Sequence, residues 1–393
     1  MPPGKPRVLV VTRNLPPLRG GMERLNHHLL RELAAAFEVR VCCPHECLAA
    51  LPQGLVGSGV PLRPLPGFVA ASAVKALTLA VRFRPDLVLA GSGLTAPMAR
   101  LAAAAVGARS VAYLHGLDIA ADHWAYRRLW VRQFPALSAV LVNSRHTAGL
   151  ATRAGVPAER VSIVHPGVEL PPWEPALGAE FRQRFGLGDR PLLLSLGRLT
   201  ARKGLVEFVE QVMPGLAGVL PEVVLAVIGG EAVHALKGGG GGQLERLQAS
   251  IRRLGLERQV RLLGEQDDRT ARGAFFASRA LVFPVLDLPG DVEGFGMVAI
   301  EAAAHGVPTL GFAVGGVPDA VAEPRSGSLF RPGDYAALAA ALQRLCAAAD
   351  EDEAARLRRR DFAAEFEWSR FGQRMRAVCG AVLAGPGGLG AAA

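Results

Sequence analysis

The chain has 393 residues, of which 50% are apolar and 20% charged, and its formal net charge is +9 at pH 7. At about 150 residues per domain this length predicts two or three domains, and the composition excludes a disordered chain, a collagen-like fibre and a coiled coil. The 5 cysteines, an odd number, favour a reducing compartment over a complete disulfide framework.

The N-terminal region predicts neither a leader nor a membrane span. Its apolar run, residues 8–11, is far too short for the core of a signal peptide and lacks a cleavage-site flank. No uninterrupted apolar stretch elsewhere reaches the roughly 18 to 20 residues that a spanning helix needs. We therefore expect a cytoplasmic protein, either free or peripheral on the inner face of the membrane.

Short apolar runs recur along the chain, each followed by a glycine-bearing loop and a helical pattern. This alternation is typical of parallel sheets covered on both faces. A proline-rich stretch at 171–175 predicts a stiff connector. We predict two Rossmann-like domains, residues 1–173 and 174–360, and a terminal helix and tail in 361–393. The predicted strands are residues 8–12, 39–42, 87–90, 110–114, 139–143, 162–165, 192–196, 223–228, 260–263, 280–284, 309–312 and 328–330.

The two halves differ in charge. Residues 1–173 contain 19 basic and 9 acidic residues, a net +10, whereas residues 174–393 contain 25 and 26, a net −1. Such a polarised surface attracts polyanions, anionic bilayers or acidic substrates. Because the first half has no basic-aromatic interleaving, zinc-finger spacing or RNA-binding signature, an anionic membrane or acceptor is favoured over nucleic acid.

Three loops at predicted strand ends carry candidate ligand groups. Ligands of open parallel sheets bind outside the carboxyl ends of the strands, so two facing domains would place a site in the cleft. Arg198 and Lys203 bracket one loop, where fixed cations can neutralise a diphosphate without a metal. Gly20 and Gly21 let another backbone approach a phosphate at a helix start. His115, followed by a glycine, is a candidate ligand for a substrate hydroxyl.

The sharpest pattern is a pair of glutamates eight positions apart, Glu293 and Glu301. Glu293 precedes a turn that contains two glycines. Glu301 is expected about two turns inside a helix predicted over 298–305. Both carboxylates can then face one ligand, and the N–H groups at the helix start form a cradle for an anion.

Three other kinds of site have weaker patterns. The cluster 43–47, Cys-Pro-His-Glu-Cys, has no second ligand pair at zinc-like spacing, so no metal is expected. Residues 91–96 fit the dinucleotide fingerprint G-x-G-x-x-A, but they lie several strands into the domain, and no acidic residue ends a strand about 20 positions later. A phosphorylase would need a pyridoxal lysine, and the few lysines lie outside any such context.

Together and in this order, the motifs resemble the retaining glycosyltransferases of family 4 over nearly the whole chain. Glu293 and Glu301 match the family's E-x7-E signature, residues 197–204 its G-R-x4-K-G, and Gly20 and Gly21 its glycine loop. The resemblance implies the α/β GT-B fold, in which two Rossmann-like domains face each other across a cleft and a C-terminal helix crosses back to the N-terminal domain.

The activity that the resemblance implies is transfer of a hexose from a nucleoside diphosphate sugar, with retention, and with neither a metal nor another cofactor. Mannose is slightly favoured over glucose and N-acetylglucosamine, and the acceptor would be a hydroxyl of a glycan or lipid-linked molecule. Nucleic acid is not expected as a partner. A same-face mechanism is favoured, in which the departing phosphate helps to deprotonate the acceptor, because nothing in the sequence places Asp118 as a nucleophile. A GT-B epimerase and a non-catalytic sugar-nucleotide-binding subunit are the open alternatives.

The resemblance also implies a role for each motif. Arg198 and Lys203 would hold the diphosphate, which Gly20 and Gly21 allow to approach. Glu301 would bind the ribose hydroxyls. Sugar contacts are implied for the remaining candidates, which are Glu293, the backbone of Phe295, Gly296 and Met297, and, near the reaction centre, His115.

Overall fold

The computed structural model describes residues 4–231, 242–349 and 351–385. Their contacts divide the chain into two compact units. Unit 1 contains Met1–Gly167, Pro289–Phe295 and Trp368–Ala393, and unit 2 contains Val168–Leu288 and Gly296–Glu367. The run 237–242, in which the sequence predicts an inserted flexible linker, falls outside the described residues apart from Gly242.

Unit 1 is built on a seven-stranded sheet with the order β3-β2-β1-β4-β5-β6-β7. Every pairing is parallel, and β1 lies between β2 and β4. The chain therefore winds first to one side of β1 and then to the other, as in a doubly wound fold. The strands are β1 (Arg7–Val11), β2 (Glu38–Pro44), β3 (Val56–Val60), β4 (Leu87–Ala90), β5 (Arg109–Leu114), β6 (Ala139–Val142) and β7 (Val161–Ile163).

The helices of unit 1 include the last helix of the chain, α16. Its Trp368 ring stacks on His28 of α1 with centroids 3.8 Å apart. Nη1 of Arg376 on α16 donates to Oε2 of Glu32 on α1 at 2.8 Å. These contacts fasten α16 to unit 1. The helices are α1 (Gly21–Ala34), α2 (Leu65–Phe83), α3 (Ala96–Ala104), α4 (Leu117–Ala120), α5 (Trp124–Leu129), α6 (Arg145–Arg153) and α16 (Trp368–Ala384).

Unit 2 contains a six-stranded parallel sheet with the order β10-β9-β8-β11-β12-β13. Its strands are β8 (Leu192–Leu196), β9 (Val224–Ile228), β10 (Val260–Gly264), β11 (Ala280–Phe283), β12 (Thr309–Phe312) and β13 (Gly327–Phe330). Its helices are α7 (Ala176–Arg184), α8 (Leu205–Gln211), α9 (Met213–Val219), α10 (Gln243–Leu254), α11 (Asp268–Ala277), α12 (Met297–Ala304), α13 (Val317–Ala320), α14 (Tyr335–Ala347) and α15 (Glu353–Ala364). Two Rossmann-like parallel sheets are thereby confirmed.

Strand β3 is the one described strand that the apolar pattern fails to predict. Its sequence, Val-Gly-Ser-Gly-Val, reads as a loop. A Cβ at Gly57 would meet the side chain of Leu51, and one at Gly59 would meet the ring of His45, so the two glycines relieve contacts with residues outside the strand. An edge strand that pairs only with β2 tolerates this loss of apolar side chains.

Helix α2 is the one helix in the described ranges that is long and apolar enough to cross a membrane by length and composition. Its best 18-residue window has a mean hydropathy of 1.3, and 22% of that window is buried. Lys75 interrupts the apolar run of this helix. Length and composition alone are weak grounds for a span, since core helices pass the same test.

Candidate active site

The loop after β8 remains attached to the end of β9. The backbone N–H of Gly197 donates to the Ile228 carbonyl at 2.9 Å, and that of Leu199 donates to the Gly230 carbonyl at 2.9 Å. Arg198 lies between these two anchored residues and is exposed. The sheet edge therefore holds the backbone of Arg198 in a defined place, while its guanidinium faces solvent.

Lys203, at the other end of this loop, lies over the aromatic ring of Phe283 at the end of β11. The Lys203 ammonium nitrogen is 4.6 Å from the ring centroid, a cation–π distance. The loop reaches this position because Gly204, with φ +64°, has no side chain that would collide with the Pro284 carbonyl. On the same ring, a Cβ at Gly296 would lie 2.9 Å from Cε1. The Phe283 ring thus lies next to both the basic loop, residues 197–204, and the glycine turn at Gly296.

The glycine turn leads directly into α12. Gly296 has φ +94° and caps the helix in a left-handed conformation, which favours glycine. The helix begins at Met297, so Glu301 lies about one turn inside it, not the two turns expected from sequence. The backbone N–H groups of the first turn are the positive end of this helix.

In unit 1, the glycine loop before α1 surrounds a buried carboxylate. Glu23 is 9% exposed, and its Oε1 accepts a hydrogen bond from Nδ2 of Asn14 at 2.7 Å. A Cβ at Gly20 would collide with the Glu23 carboxylate. A side chain at position 20 would therefore require the Glu23 carboxylate to move.

Asn26, which sequence reasoning missed, links this loop to the end of β4. Its Nδ2 lies 3.2 Å from Oγ1 of Thr12, 3.1 Å from the Asn14 carbonyl and 3.1 Å from the Gly91 carbonyl. It is 1% exposed. A Cβ at Gly91 would lie 2.6 Å from Thr12 Oγ1. The first glycine of the dinucleotide-like run therefore serves packing, and a buried asparagine on an apolar helix face was the available signal.

His115, at the end of β5, is held at both its ring and its backbone. Nε2 lies 2.9 Å from the Gly91 carbonyl. Because a carbonyl only accepts, Nε2 carries a proton, and the neutral ring has its lone pair on Nδ1. The backbone N–H groups of His115 and Gly93 donate to the two carboxylate oxygens of Asp118 at 2.8 and 2.7 Å. Asp118 therefore fastens the His115 loop to the loop after β4.

Residues 294 and 295, which belong to unit 1, pack directly on loops of the same unit, with Gly294 against the His115 loop. A Cβ at Gly294 would collide with the His115 carbonyl and lie 2.6 Å from Nδ2 of Asn143. That amide donates to the same carbonyl at 3.2 Å. Phe295, 2% exposed, stacks on His165 with centroids 5.4 Å apart. The motifs gave no role to Asn143 or His165, and their contacts with the His115 carbonyl and the Phe295 ring are seen only in the structure.

The candidate residues fall into two groups according to the unit that contains them. In unit 1 the structure brings His115 together with residues 293–295, and in unit 2 it brings Lys203 together with Gly296. Unit 1 contains Gly20, Gly21, His115, Glu293 and Phe295, and unit 2 contains Arg198, Lys203, Gly296, Met297 and Glu301.

No group of three or more His, Cys, Asp or Glu residues in the described ranges is arranged to hold a metal ion. Cys43 and Cys47 are buried and free. Burial raises the pKa of the Cys43 thiol to about 12 and that of Cys47 to about 11, so both are neutral near pH 7. The Cys47 thiol lies 3.4 Å from the Leu15 carbonyl, to which it donates.

Two family models match the chain in succession. The model described as Glycosyltransferase Family 4 matches residues 19–170, and the model described as Glycosyl transferases group 1 matches residues 179–361. The first match contains the glycine loop and His115, and the second contains the basic loop and both glutamates. Between them they span most of the described chain.

Relatives and solved structures agree with these matches. The chain is 29% identical over 356 residues, 86% of its length and 89% of the relative's, to the GDP-mannose-dependent alpha-(1-6)-phosphatidylinositol monomannoside mannosyltransferase of Mycolicibacterium smegmatis. It is 34% identical over 213 residues, 53% of its length and 46% of the relative's, to the D-inositol 3-phosphate glycosyltransferase of Streptomyces scabiei. The crystal structure of Anabaena Alr3699/HepE in complex with UDP and glucose has the same fold, with a TM-score of 0.77 and 20% identity over 95% of this chain and 99% of that one.

The two parallel sheets and these matches define a glycosyltransferase with the GT-B fold. The enzyme class predicted from the motifs is confirmed. More particularly, the chain belongs to glycosyltransferase family 4.

Proposed function

We propose that this glycosyltransferase transfers mannose from GDP-mannose, with retention and without a metal, to a hydroxyl of an inositol-containing acceptor that carries a phosphate. The donor proposal is supported by the relative that matches most of the chain, which is named as GDP-mannose-dependent. The acceptor proposal is supported by both relatives, one named for a phosphatidylinositol monomannoside and the other for D-inositol 3-phosphate.

The observation that carries the proposal is the position of Lys203 over Phe283, next to the glycine turn that starts α12. When the sugar departs, negative charge develops on the diphosphate, and a fixed ammonium stabilises that charge more in the transition state than before it. Arg198 adds a second, exposed cation from the same loop. Glu301 would bind the ribose, and Glu293, with the backbone of residues 295–297, the sugar.

His115 would contact the sugar near the reacting carbon. The Gly91 carbonyl holds Nε2–H, so the ring has a fixed orientation and cannot use Nε2 as a base. Asp118 is an unsuitable nucleophile because both its carboxylate oxygens already accept backbone hydrogen bonds. This supports a same-face mechanism in which the departing phosphate, and not an enzymic carboxylate, helps to deprotonate the acceptor hydroxyl.

We also propose that unit 1 binds an anionic membrane surface through α2. Val74 and Val81 on this helix are 67% and 51% exposed, and Lys75 and Arg82 on the same helix are exposed as well. An apolar face with basic residues at its border suits the interface of an anionic bilayer. At that membrane surface the enzyme would reach an acceptor that is anchored in lipid.

The experiment that tests the transferase proposal is a donor screen with the purified full-length protein. GDP-mannose, UDP-glucose and UDP-N-acetylglucosamine are each incubated with and without phosphatidylinositol vesicles, and released nucleotide and mannosylated lipid are measured. We expect turnover with GDP-mannose, an α-linked product by NMR and no loss of activity in EDTA. Turnover with a UDP-sugar alone, a β-linked product or abolition by EDTA would each contradict the corresponding part of the proposal.

A further inference from the structure

The segment from Trp124 to Arg132 in unit 1 presents apolar and basic side chains together to solvent. Trp124 is 76% exposed and Leu129 is 56% exposed. Three arginines of the same segment are exposed as well, namely Arg127, Arg128 and Arg132. Large apolar side chains that are scattered singly over a protein surface are normal, whereas a group of them bordered by charges indicates a contact surface.

The inner side of this segment is fixed to unit 1, so a well-positioned backbone carries the exposed side chains. Nε1 of Trp130 donates to the Leu94 carbonyl at 2.9 Å, and the Tyr126 ring stacks on Trp130 with centroids 5.8 Å apart. Phe134, four positions further on, is completely buried. Residues 126, 130 and 134 thus recur every four positions, as on one face of a helix, and this spacing leaves Trp124 and the arginines on the outer side.

The segment lies on the same face of the seven-stranded sheet as α2 and α3. One buried apolar cluster contains residues of α2, residues of α3 and Phe134. The residues that β4, β5 and β6 contribute to this cluster are every second one, so they belong to a single face of the sheet. In addition, Nη1 of Arg100 on α3 donates to Oε1 of Gln133 at 2.7 Å. The outer surfaces of α2, α3 and residues 124–136 are therefore neighbours on one side of unit 1.

These three pieces of chain contain basic residues and no acidic ones. α2, α3 and residues 124–136 contain two, one and three basic residues, all of them exposed. Val81 on α2 and Leu101 on α3 add exposed apolar side chains. Asp122, just before the segment, lies 3.9 Å from Nη1 of Arg127, and both side chains are largely exposed, so this ion pair is weak in water. The basic residues are Lys75, Arg82, Arg100, Arg127, Arg128 and Arg132.

We propose that α3 and residues 124–132 extend the membrane-binding surface of α2, with Trp124 as an anchor among the lipid headgroups. An indole ring suits the boundary between headgroups and acyl chains, and the arginines bind the phosphates of anionic lipids. Nucleic acid would be bound through the charges alone and would leave the exposed apolar side chains without a role. This inference rests on the proposed binding of α2 to an anionic membrane.

The extended surface adds an orientation to the proposed function. A Cβ at Gly93 would lie 3.1 Å from the hydroxyl of Tyr126, and the Gly93 N–H donates to Asp118, which also accepts from the His115 N–H. The loop that contains Gly93 therefore contacts both residues 124–132 and the His115 loop. A lipid-linked acceptor presents its hydroxyl near His115 in this orientation, while its lipid part stays in the bilayer.

Quenching of tryptophan fluorescence tests the position of Trp124 directly. The full-length protein is mixed with vesicles of phosphatidylglycerol and phosphatidylcholine, with and without bromine, a short-range quencher, on the acyl chains. We expect brominated lipid to lower the emission of the parent, and Trp124→Phe to lose most of this quenching. Trp173→Phe, which removes a tryptophan of unit 2, is the matched control and should be quenched like the parent. Undiminished quenching in Trp124→Phe, or none in a parent that is bound to the vesicles, would overturn the proposal.

Co-sedimentation with the same vesicles, without bromine, measures the contribution of the arginines. We expect the double variant Arg127→Gln with Arg128→Gln to bind about tenfold more weakly than the parent, because each basic residue near an anionic surface adds to the attraction. Arg252→Gln with Arg258→Gln removes two exposed charges from unit 2 and should bind like the parent. Equal binding by the two double variants would contradict the proposal.

The outcomes separate this inference from the proposals on which it rests. If the parent does not bind anionic vesicles, the α2 proposal and this inference fail together. If it binds, and only the α2 variant Arg82→Gln with Val74→Ser weakens binding, this inference alone fails. Binding of a short DNA duplex in place of vesicles would assign the surface to nucleic acid and would also overturn it. None of these measurements requires turnover of GDP-mannose, so failure of the proposed reaction remains distinguishable.

Discussion

The ammonium of Lys203 lies 4.6 Å from the centroid of the Phe283 ring, although 80 positions separate the two residues in the sequence. Phe283 is 3% exposed, so the ring is a fixed surface for a side chain that would otherwise have many rotamers. The conformational entropy that the Lys203 side chain loses on ligand binding is thus reduced, because the side chain is already placed.

We expect Lys203→Ala to lower kcat for sugar transfer by about 100-fold or more, because a preorganised charge is lost where the leaving group develops its own. Phe283→Leu should lower it about 3- to 30-fold through the lost cation–π contact. Phe283→Tyr keeps the ring and serves as the control. Thermal unfolding of each variant separates folding defects from this effect, and wild-type kcat in Lys203→Ala would contradict the assigned role.

Gly294→Ala should disrupt the packing of its segment on the His115 loop, because the added methyl collides with the His115 carbonyl. We expect a loss of about 1–3 kcal/mol in the free energy of unfolding, the usual cost of overpacking, and at least a tenfold lower kcat. Gly215→Ala is the matched control, since nothing lies within 4 Å of its added Cβ. Urea unfolding and transfer assays measure the two effects. Equal stability of the two variants would show that the segment moves freely.

Asp118→Ala should retain measurable transfer. The substitution leaves two backbone N–H groups without their acceptor, which costs about 1–3 kcal/mol for each that is not rehydrated. The His115 loop should loosen, and kcat should fall by a moderate factor of about ten. Mass spectrometry of the enzyme quenched during turnover checks the alternative: a glycosyl adduct on Asp118 would establish it as the nucleophile.

Acid should destabilise unit 1 through His28. Burial, followed by nearby positive charges, lowers the pKa of this histidine to about 3 from an ordinary value of 6.5. Between these values the unfolded chain binds a proton that the folded protein does not, so the stabilisation is complete above about pH 6.5 and is lost as the pH falls towards 3. His28→Phe, which keeps a ring against Trp368, should flatten the pH dependence of the free energy of unfolding by up to about 1.4 kcal/mol per pH unit. An unaltered slope in His28→Phe would refute the assignment.

Binding of α2 to membranes should depend on anionic lipid and weaken with salt. In vesicle co-sedimentation, Arg82→Gln combined with Val74→Ser should reduce the fraction of protein bound at 0.1 M salt. At this ionic strength the Debye length is about 10 Å, so the attraction between nearby charges is only partly screened. Arg153→Gln on α6 is the charge-matched control. Indifference of the parent protein to both lipid charge and salt would remove the membrane proposal.

Much of the fold was accessible from the sequence, because a buried parallel strand requires a local run of apolar residues. Twelve such runs coincide with described strands, and β3 escaped because its glycines are explained by Leu51 and His45, which lie outside it. The motif residues were likewise recognisable, since a glycine at a strand end and a charged loop are local patterns. The depth predicted for Glu301 was wrong, because only four residues separate it from the helix start at Met297, which is about one turn and not two.

The order of residues along the chain is enough to show which residue types follow which strands, and hence the family and its class of reaction. How those residues are held is visible only in the folded molecule: Asn26 joins two strand ends, Asp118 joins two loops, and Phe283 lies beneath Lys203. Each of these contacts joins segments that are distant along the chain. Their meeting depends on strand order and on the space that a missing side chain leaves, which no local pattern contains.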